Sequence, residues 1–177
     1  MLKVEGDVIF REGQHFRQLW LWALVLLFPA LCAYALIQQV FLDKPFGNNP
    51  ASDSLLIGSA VVFGLGFPLL FLVAKLTTEV REDGLYLRFV PFHRSFRKIA
   101  WEDLARYEVR TYRPLRDYGG WGIRYGSQGK AYNVRGNRGV QLHLSNGKRL
   151  LIGSQRPEEL AEALDLAMRK RQLSAWT

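Results

Sequence analysis

LWLWALVLLFPALCAYALI, residues 19–37, is the stretch on which the reading of this chain turns. No charge lies between Arg17 and Asp43. A second run, LLIGSAVVFGLGFPLLFLVA over residues 55–74, is equally uncharged between Asp53 and Lys75. At ~1.5 Å per residue, each run coiled as one helix reaches across the ~30 Å hydrocarbon layer of a membrane. The remaining sequence is too short to wrap two such helices inside a globule, so the pattern predicts a transmembrane hairpin. Pro29, Pro68, Gly58, Gly64 and Gly66 interrupt the runs, which lipid tolerates where a neighbouring helix covers the loosened backbone. Neither span contains Asp, Glu, Lys, Arg or His, so neither offers an ion path or a proton relay. Ala33-Tyr34-Ala35 resembles a signal-peptide cleavage site, but three acids precede the run and the apolar stretch continues past that point.

Charge divides the chain at the same place. Residues 1–74 carry four Lys/Arg and five Asp/Glu, whereas residues 75–177 carry 20 and 11, a net of +9. This excludes an evenly charged soluble globule and a wholly embedded transporter. The single cysteine, Cys32, excludes an intramolecular disulfide and a Cys-based zinc site. Orientation follows from basic residues near the helix ends. Lys3, Arg11 and Arg17 precede the first span, Lys44 alone lies in the loop, and Lys75, Arg81, Arg88 and Arg94 follow the second. Three, one and four predict cytoplasmic termini and an external loop.

From Thr77 the pattern changes from continuous to alternating. Leu85, Leu87 and Phe89 follow an Asp83-Gly84 turn signal, and Tyr107, Val109 and Thr111 alternate with charged neighbours. Trp121, Ile123 and Tyr125 form another alternating set, as do Val140, Leu142 and Leu144, with Asn146-Gly147 turning into 148–153. With a segment near 97–101, this predicts about seven short strands in an antiparallel meander. Pro157-Glu158-Glu159 then opens a helix, with proline at its first turn and acids at the positive dipole end. Leu160, Leu164, Ala167 and Met168 give it one apolar face, expected to cover the sheet.

No P-loop, dinucleotide fingerprint, nucleophile elbow or zinc-protease motif is present, and His15, His93 and His143 are scattered, so no enzyme activity or cofactor is expected. The chemical signal is positive charge. Its densest form is YRPLRDYGGWGIR, residues 112–124, where Arg110, Arg113, Arg116, Trp121 and Arg124 form a candidate site for an anionic lipid or an acidic partner. Trp121 has two readings: a core ring in phase with Ile123 and Tyr125, or an exposed anchor for a partner.

Several segments together carry a resemblance: Phe10-x-Glu12-x-Gln14-x-Phe16, Thr78-Glu79-Val80, Trp101-Glu102-Asp103-Leu104, Gly119-Gly120-Trp121-Gly122-Ile123-Arg124, Asn137-Arg138-Gly139-Val140 and Ile152-Gly153-Ser154-Gln155-Arg156-Pro157-Glu158-Glu159-Leu160. Over nearly its whole length the chain resembles prokaryotic two-helix membrane proteins with a bacterial pleckstrin-homology-like (PH-like) domain, of the domain of unknown function 6141 type. The resemblance implies an α+β membrane protein, in which a transmembrane hairpin precedes an antiparallel β sandwich or open barrel with a carboxyl-terminal capping helix. It attaches no activity, and PH-like folds host lipid binding, peptide binding and scaffolding alike. The expected organisation is an amino-terminal cytoplasmic arm over 1–18, spans over 19–42 and 54–75, an external loop over 43–53 and a cytoplasmic PH-like domain over 76–177, with its helix at about 157–171. The expected role is a cell-membrane scaffold or interaction module, with anionic-lipid or acidic-partner binding through the loop cluster as the alternative. Its partners are the bilayer and anionic lipids or another membrane or cytoplasmic protein, rather than nucleic acid.

Overall fold

The computed structural model describes residues 7–174 and divides into two compact units. One comprises 16–74. The other joins the amino-terminal strand to everything from Lys75 onward.

The first unit is a pair of helices, α1 (Leu19–Phe41) and α2 (Asp53–Val73), both long and apolar enough to cross a membrane. Only 11% and 6% of the residues in their most apolar stretches are buried, so these are not the internal helices of a globule. They approach closely at Gly64, where an added Cβ would lie 3.6 Å from the Cβ of Cys32 and 3.8 Å from the Cα of Pro29. Residues 60–66 of α2 widen into π-helical turns just before Pro68, which has no N–H to return to the preceding turn. Near the connecting loop, Gln39 Nε2 in the last turns of α1 donates to the Ala51 carbonyl (2.6 Å) and to Asp53 Oδ1 at the start of α2 (2.7 Å).

The second unit is two sheets and a helix. The first sheet is ordered β1–β2–β3–β4, all antiparallel: β1 (Val8–His15), β2 (Lys75–Arg81), β3 (Gly84–Val90) and β4 (Arg97–Ile99). The second is ordered β5–β8–β9–β7–β6, from β5 (Leu104–Thr111), β6 (Gly122–Gly126), β7 (Gly129–Asn133), β8 (Arg138–Leu144) and β9 (Arg149–Gly153). A five-residue helix, α3 (Pro114–Tyr118), precedes β6, and α4 (Pro157–Ser174) ends the described chain.

Leu76, Val80, Leu85, Leu87 and Phe89 of the first sheet are buried with Val140, Leu142 and Ile152 of the second. From α4, Leu160, Leu164 and Ala167 are buried as the helical spacing predicts, Ala163 joins them, and Met168 is half-buried. The helix packs on β1 and β2 from one sheet and on β5 and β8 from the other, so it closes one side of the sandwich. On the opposite side β4 and β6 are the sheet edges, and they do not pair.

Three expectations are corrected. Residues 8–15, read as part of an arm, form β1 and pair with β2 from Val8↔Arg81 to His15↔Lys75. The meander is not wholly antiparallel: β7, which the sequence pattern did not reveal, runs parallel to β9 from Lys130↔Leu150 to Tyr132↔Ile152. Val109, whose place in an alternating set predicts an inward side chain, is 37% exposed.

The inward face of β1 is unusual, since only Phe10 is apolar there. Glu12 lies beside it and receives two hydrogen bonds from the end of β9, from Ser154 Oγ to Oε2 (2.6 Å) and from the Gln155 N–H to Oε1 (2.9 Å). Gln14 Nε2 donates to the Gly153 carbonyl (2.7 Å). A buried carboxylate is tolerable only when it is satisfied in this way. Two sequence segments far apart thus meet as one clamp joining the sheets.

Candidate functional site

The basic stretch after β5 folds into a cap on the outer face of the second sheet. Pro114 starts α3, where a missing N–H costs nothing, and Asp117 Oδ2 accepts from the Arg113 N–H (2.8 Å). Gly119, at φ 70°, ends the helix in the left-handed conformation that glycine adopts without penalty. Tyr112 and Tyr118, 2% and 3% exposed, anchor the cap against Ala131 and Leu151, with their rings edge to face at 5.8 Å. Burial pushes the Tyr112 hydroxyl up to about 12.

This geometry distributes the five predicted site residues. Arg110 is half-buried on β5, its Nη1 3.5 Å from Gln141 Oε1, which also accepts from the Tyr118 hydroxyl (3.3 Å). Arg124 folds back, with Nε donating to the Trp121 carbonyl (2.8 Å) and the guanidinium lying over Gly120. Arg113 and Arg116 are exposed, as is Leu115 between them. Trp121 precedes β6 and is half-buried, its Nε1 donating to the Gly136 carbonyl (3.1 Å). The fully buried rings here belong to the two tyrosines. The five residues lie around the cap, two of them turned to internal acceptors and two exposed.

A cavity does exist where the sandwich is open. Between the β3–β4 side of the first sheet and the β6–β7 and β8–β9 turns of the second lies an open cleft of about 860 Å³. Its floor is apolar: Leu87, Ile99, Leu144, Leu150 and the ring of Tyr132. Around it stand Arg97, Lys98, Lys130, Lys148 and Arg149, with no Asp or Glu among the lining residues. Lys98 is neutralised by Asp83 (Nζ–Oδ2 2.6 Å), whereas no ion pair forms at the other four among the described residues. Arg97 Nη1 donates to the Tyr132 hydroxyl (3.4 Å) and Arg149 Nη1 to Gln128 Oε1 (2.9 Å). Lys130 Nζ sits 4.8 Å from the Tyr132 ring centre and 5.0 Å from that of Tyr125, whose side is open to solvent. Gly129 lets the β6–β7 turn close on β9, since a Cβ there would fall 2.3 Å from the Arg149 carbonyl oxygen.

His93 lies behind the Tyr132 ring, edge to face at 5.5 Å, with Nδ1 accepting from the Phe89 N–H (3.2 Å). Burial, then Arg97, then Lys130 hold its pKa below the usual histidine range, as a neighbourhood of uncompensated positive charge should. Lys130 is pulled down by burial, but its interactions with Tyr132 and Tyr125 outweigh this and raise it. His143 is half-buried beside Arg106 and Glu108. No group of three or more His, Cys, Asp or Glu able to hold a metal occurs among the described residues.

The cleft cations come from three segments, 97–98, 130 and 148–149, that no local motif connects. Sequence reading missed them because the parallel β7–β9 pairing alone brings Lys130 beside Arg149. Comparison with known proteins finds no match among curated proteins and none among solved structures. A family model does match, over residues 1–170, and so covers the clamp, the cap and the cleft together. The chain belongs to the Family of unknown function (DUF6141).

Proposed function

We propose that this is an integral membrane protein in which α1 and α2 span the cell membrane and hold a PH-like interaction module at the cytoplasmic face. The observation that carries the reading is the β1–β2 pairing across the helices. β1 ends at His15 just before α1, β2 begins at Lys75 just after α2, and these two residues are partners in one sheet. A chain that leaves and returns at one place has crossed a bilayer an even number of times, so its two ends share a side. The three, one and four count of basic residues supports the cytoplasm as that side. Two sheets closed on one side by a carboxyl-terminal helix support the PH-like reading of the module.

The role is that of a scaffold or interaction module, with a net positive surface suited to an anionic leaflet. A second reading rests on Arg113 and Arg116, exposed on either side of Leu115, as a point where the cap meets anionic lipid or an acidic partner. A cysteine at Asn48 in a Cys32-free background should react with an impermeant thiol reagent in intact cells, and one at Ser174 should not. Labelling at Ser174 with protection at Asn48 would overturn the topology.

A further inference from the structure

We propose that the cleft between the two sheets is a binding site for a phosphate group carried on an apolar or ring-bearing body. This goes beyond the anchoring role and does not depend on it. Volume comes first: about 860 Å³ lies within the ~300–1,000 Å³ of small-molecule sites, which are apolar inside with a few convergent polar groups. Charge comes second. Arg97, Lys130, Lys148 and Arg149 converge on one concavity with no carboxylate lining it, whereas Arg11, Arg81, Arg138, Arg156 and Arg171 elsewhere are each paired with an acid. Among the described residues, cap arginines such as Arg113 and Arg116 also lack an acid. What sets these four apart is that they border one concavity with an apolar floor and no carboxylate in its lining, which leaves room for an anion from outside. Two of them are arginines, whose planar donors match phosphate oxygens.

Shape gives the rest of the ligand. The floor of Leu87, Ile99, Leu144 and Leu150 cannot solvate charge, so the anion sits at the basic rim and its body lies on the floor. Tyr125, 74% exposed beside Lys130, offers a ring face at the mouth. A phospholipid headgroup and a soluble phosphate ester share this chemistry.

Full-length protein in phosphatidylcholine nanodiscs, titrated calorimetrically with phenyl phosphate, tests the site. Saturable one-to-one binding is expected, weakened at least tenfold in Arg97→Gln/Arg149→Gln. Arg113→Gln/Arg116→Gln removes the same charge from the cap and should change affinity less than twofold. Should the double cleft variant fail to fold by circular dichroism, Lys148→Gln, an exposed site, should still weaken binding about threefold.

A second arm uses nanodiscs containing one-fifth phosphatidic acid at 0.3 M salt, where surface fields decay within about 6 Å. Loss of phenyl phosphate binding there supports the site with a lipid as its source. Unchanged binding supports it with a soluble ester. No saturable binding overturns the proposal, as does equal weakening by the cap variant. Phenylacetate bound as tightly as phenyl phosphate also overturns it, and points to an acidic peptide instead.

Discussion

The decisive perturbation is to separate β1 from the sheet it completes. Residues 75–177 alone lack Phe10, which is 7% exposed, and lack the Glu12 and Gln14 side chains that accept from and donate to 153–155. Losing the buried ring is worth about 3 kcal/mol. Three lost hydrogen bonds, two of them to a carboxylate, add about 3–6 kcal/mol. The total of about 6–9 kcal/mol is comparable with the whole stability of an ordinary domain, ~5–15 kcal/mol. Its removal also bares the edge of β2, a strand that is otherwise buried along most of its length. The matched control replaces residues 16–74 with Asn-Gly, because His15 and Lys75 face each other and a two-residue turn closes such a pair. The fused chain should be monomeric by gel filtration, β-rich by circular dichroism and cooperative in melting. The 75–177 fragment should aggregate, or melt at least about 20 °C lower. A monomeric fragment melting within about 5 °C of the fused chain would refute the assignment of β1 to this unit.

Other outcomes follow from the cap. Tyr112 ionises near 10 when unfolded but only at about 12 when folded, so the unfolded chain loses its proton first, and rising pH from 10 to 12 costs about 2–3 kcal/mol. Tyr107, raised by burial and by Asp165, adds to the same alkaline loss, so Tyr112→Phe should remove part of it in urea titrations at pH 8 and 11. Trp121→Ala should cost about 1–2 kcal/mol, as befits a half-buried ring, whereas Tyr118→Ala should cost about 3–5 kcal/mol; the reverse order of melting temperatures would place the core ring wrongly. Arg113→Ala with Arg116→Ala should shift the melt by less than about 0.5 kcal/mol.

How far the fold could be read from sequence depended on whether its signal was local. The apolar helices announce themselves by uninterrupted absence of charge, and β3, β8 and β9 by period-two apolar residues beside strong turn signals. β1 has the same period, but Phe10, Glu12 and Gln14 place two polar groups inward, and an alternation rule that seeks apolar partners passes over it. The reason for those polar residues lies about 140 positions away, at Ser154 and Gln155. α3 is too short, and too crowded by Pro114 and Gly119, for helical periodicity to show. In the candidate cap, arginine density drew attention to Arg110 and Arg124, both of which turn to internal acceptors. The cleft was invisible because its cations meet only through strand order.

The clamp between β1 and β9 also sets a timetable for synthesis. At ~5–20 residues per second, β1 leaves the ribosome about 3–12 seconds before β2 exists to receive it. Glu12 waits longer still, since its donors lie 142 and 143 residues further on. In the interval, α1 and α2 emerge, and on the membrane reading they are handed to the translocation machinery while the strand ahead of them is still unpaired. Insertion therefore comes first and sheet closure last. On that reading, a nascent chain stalled before Ser154 should carry inserted helices and an open sandwich, and so be a substrate for chaperones and proteases on the side of the bilayer that holds the sheets.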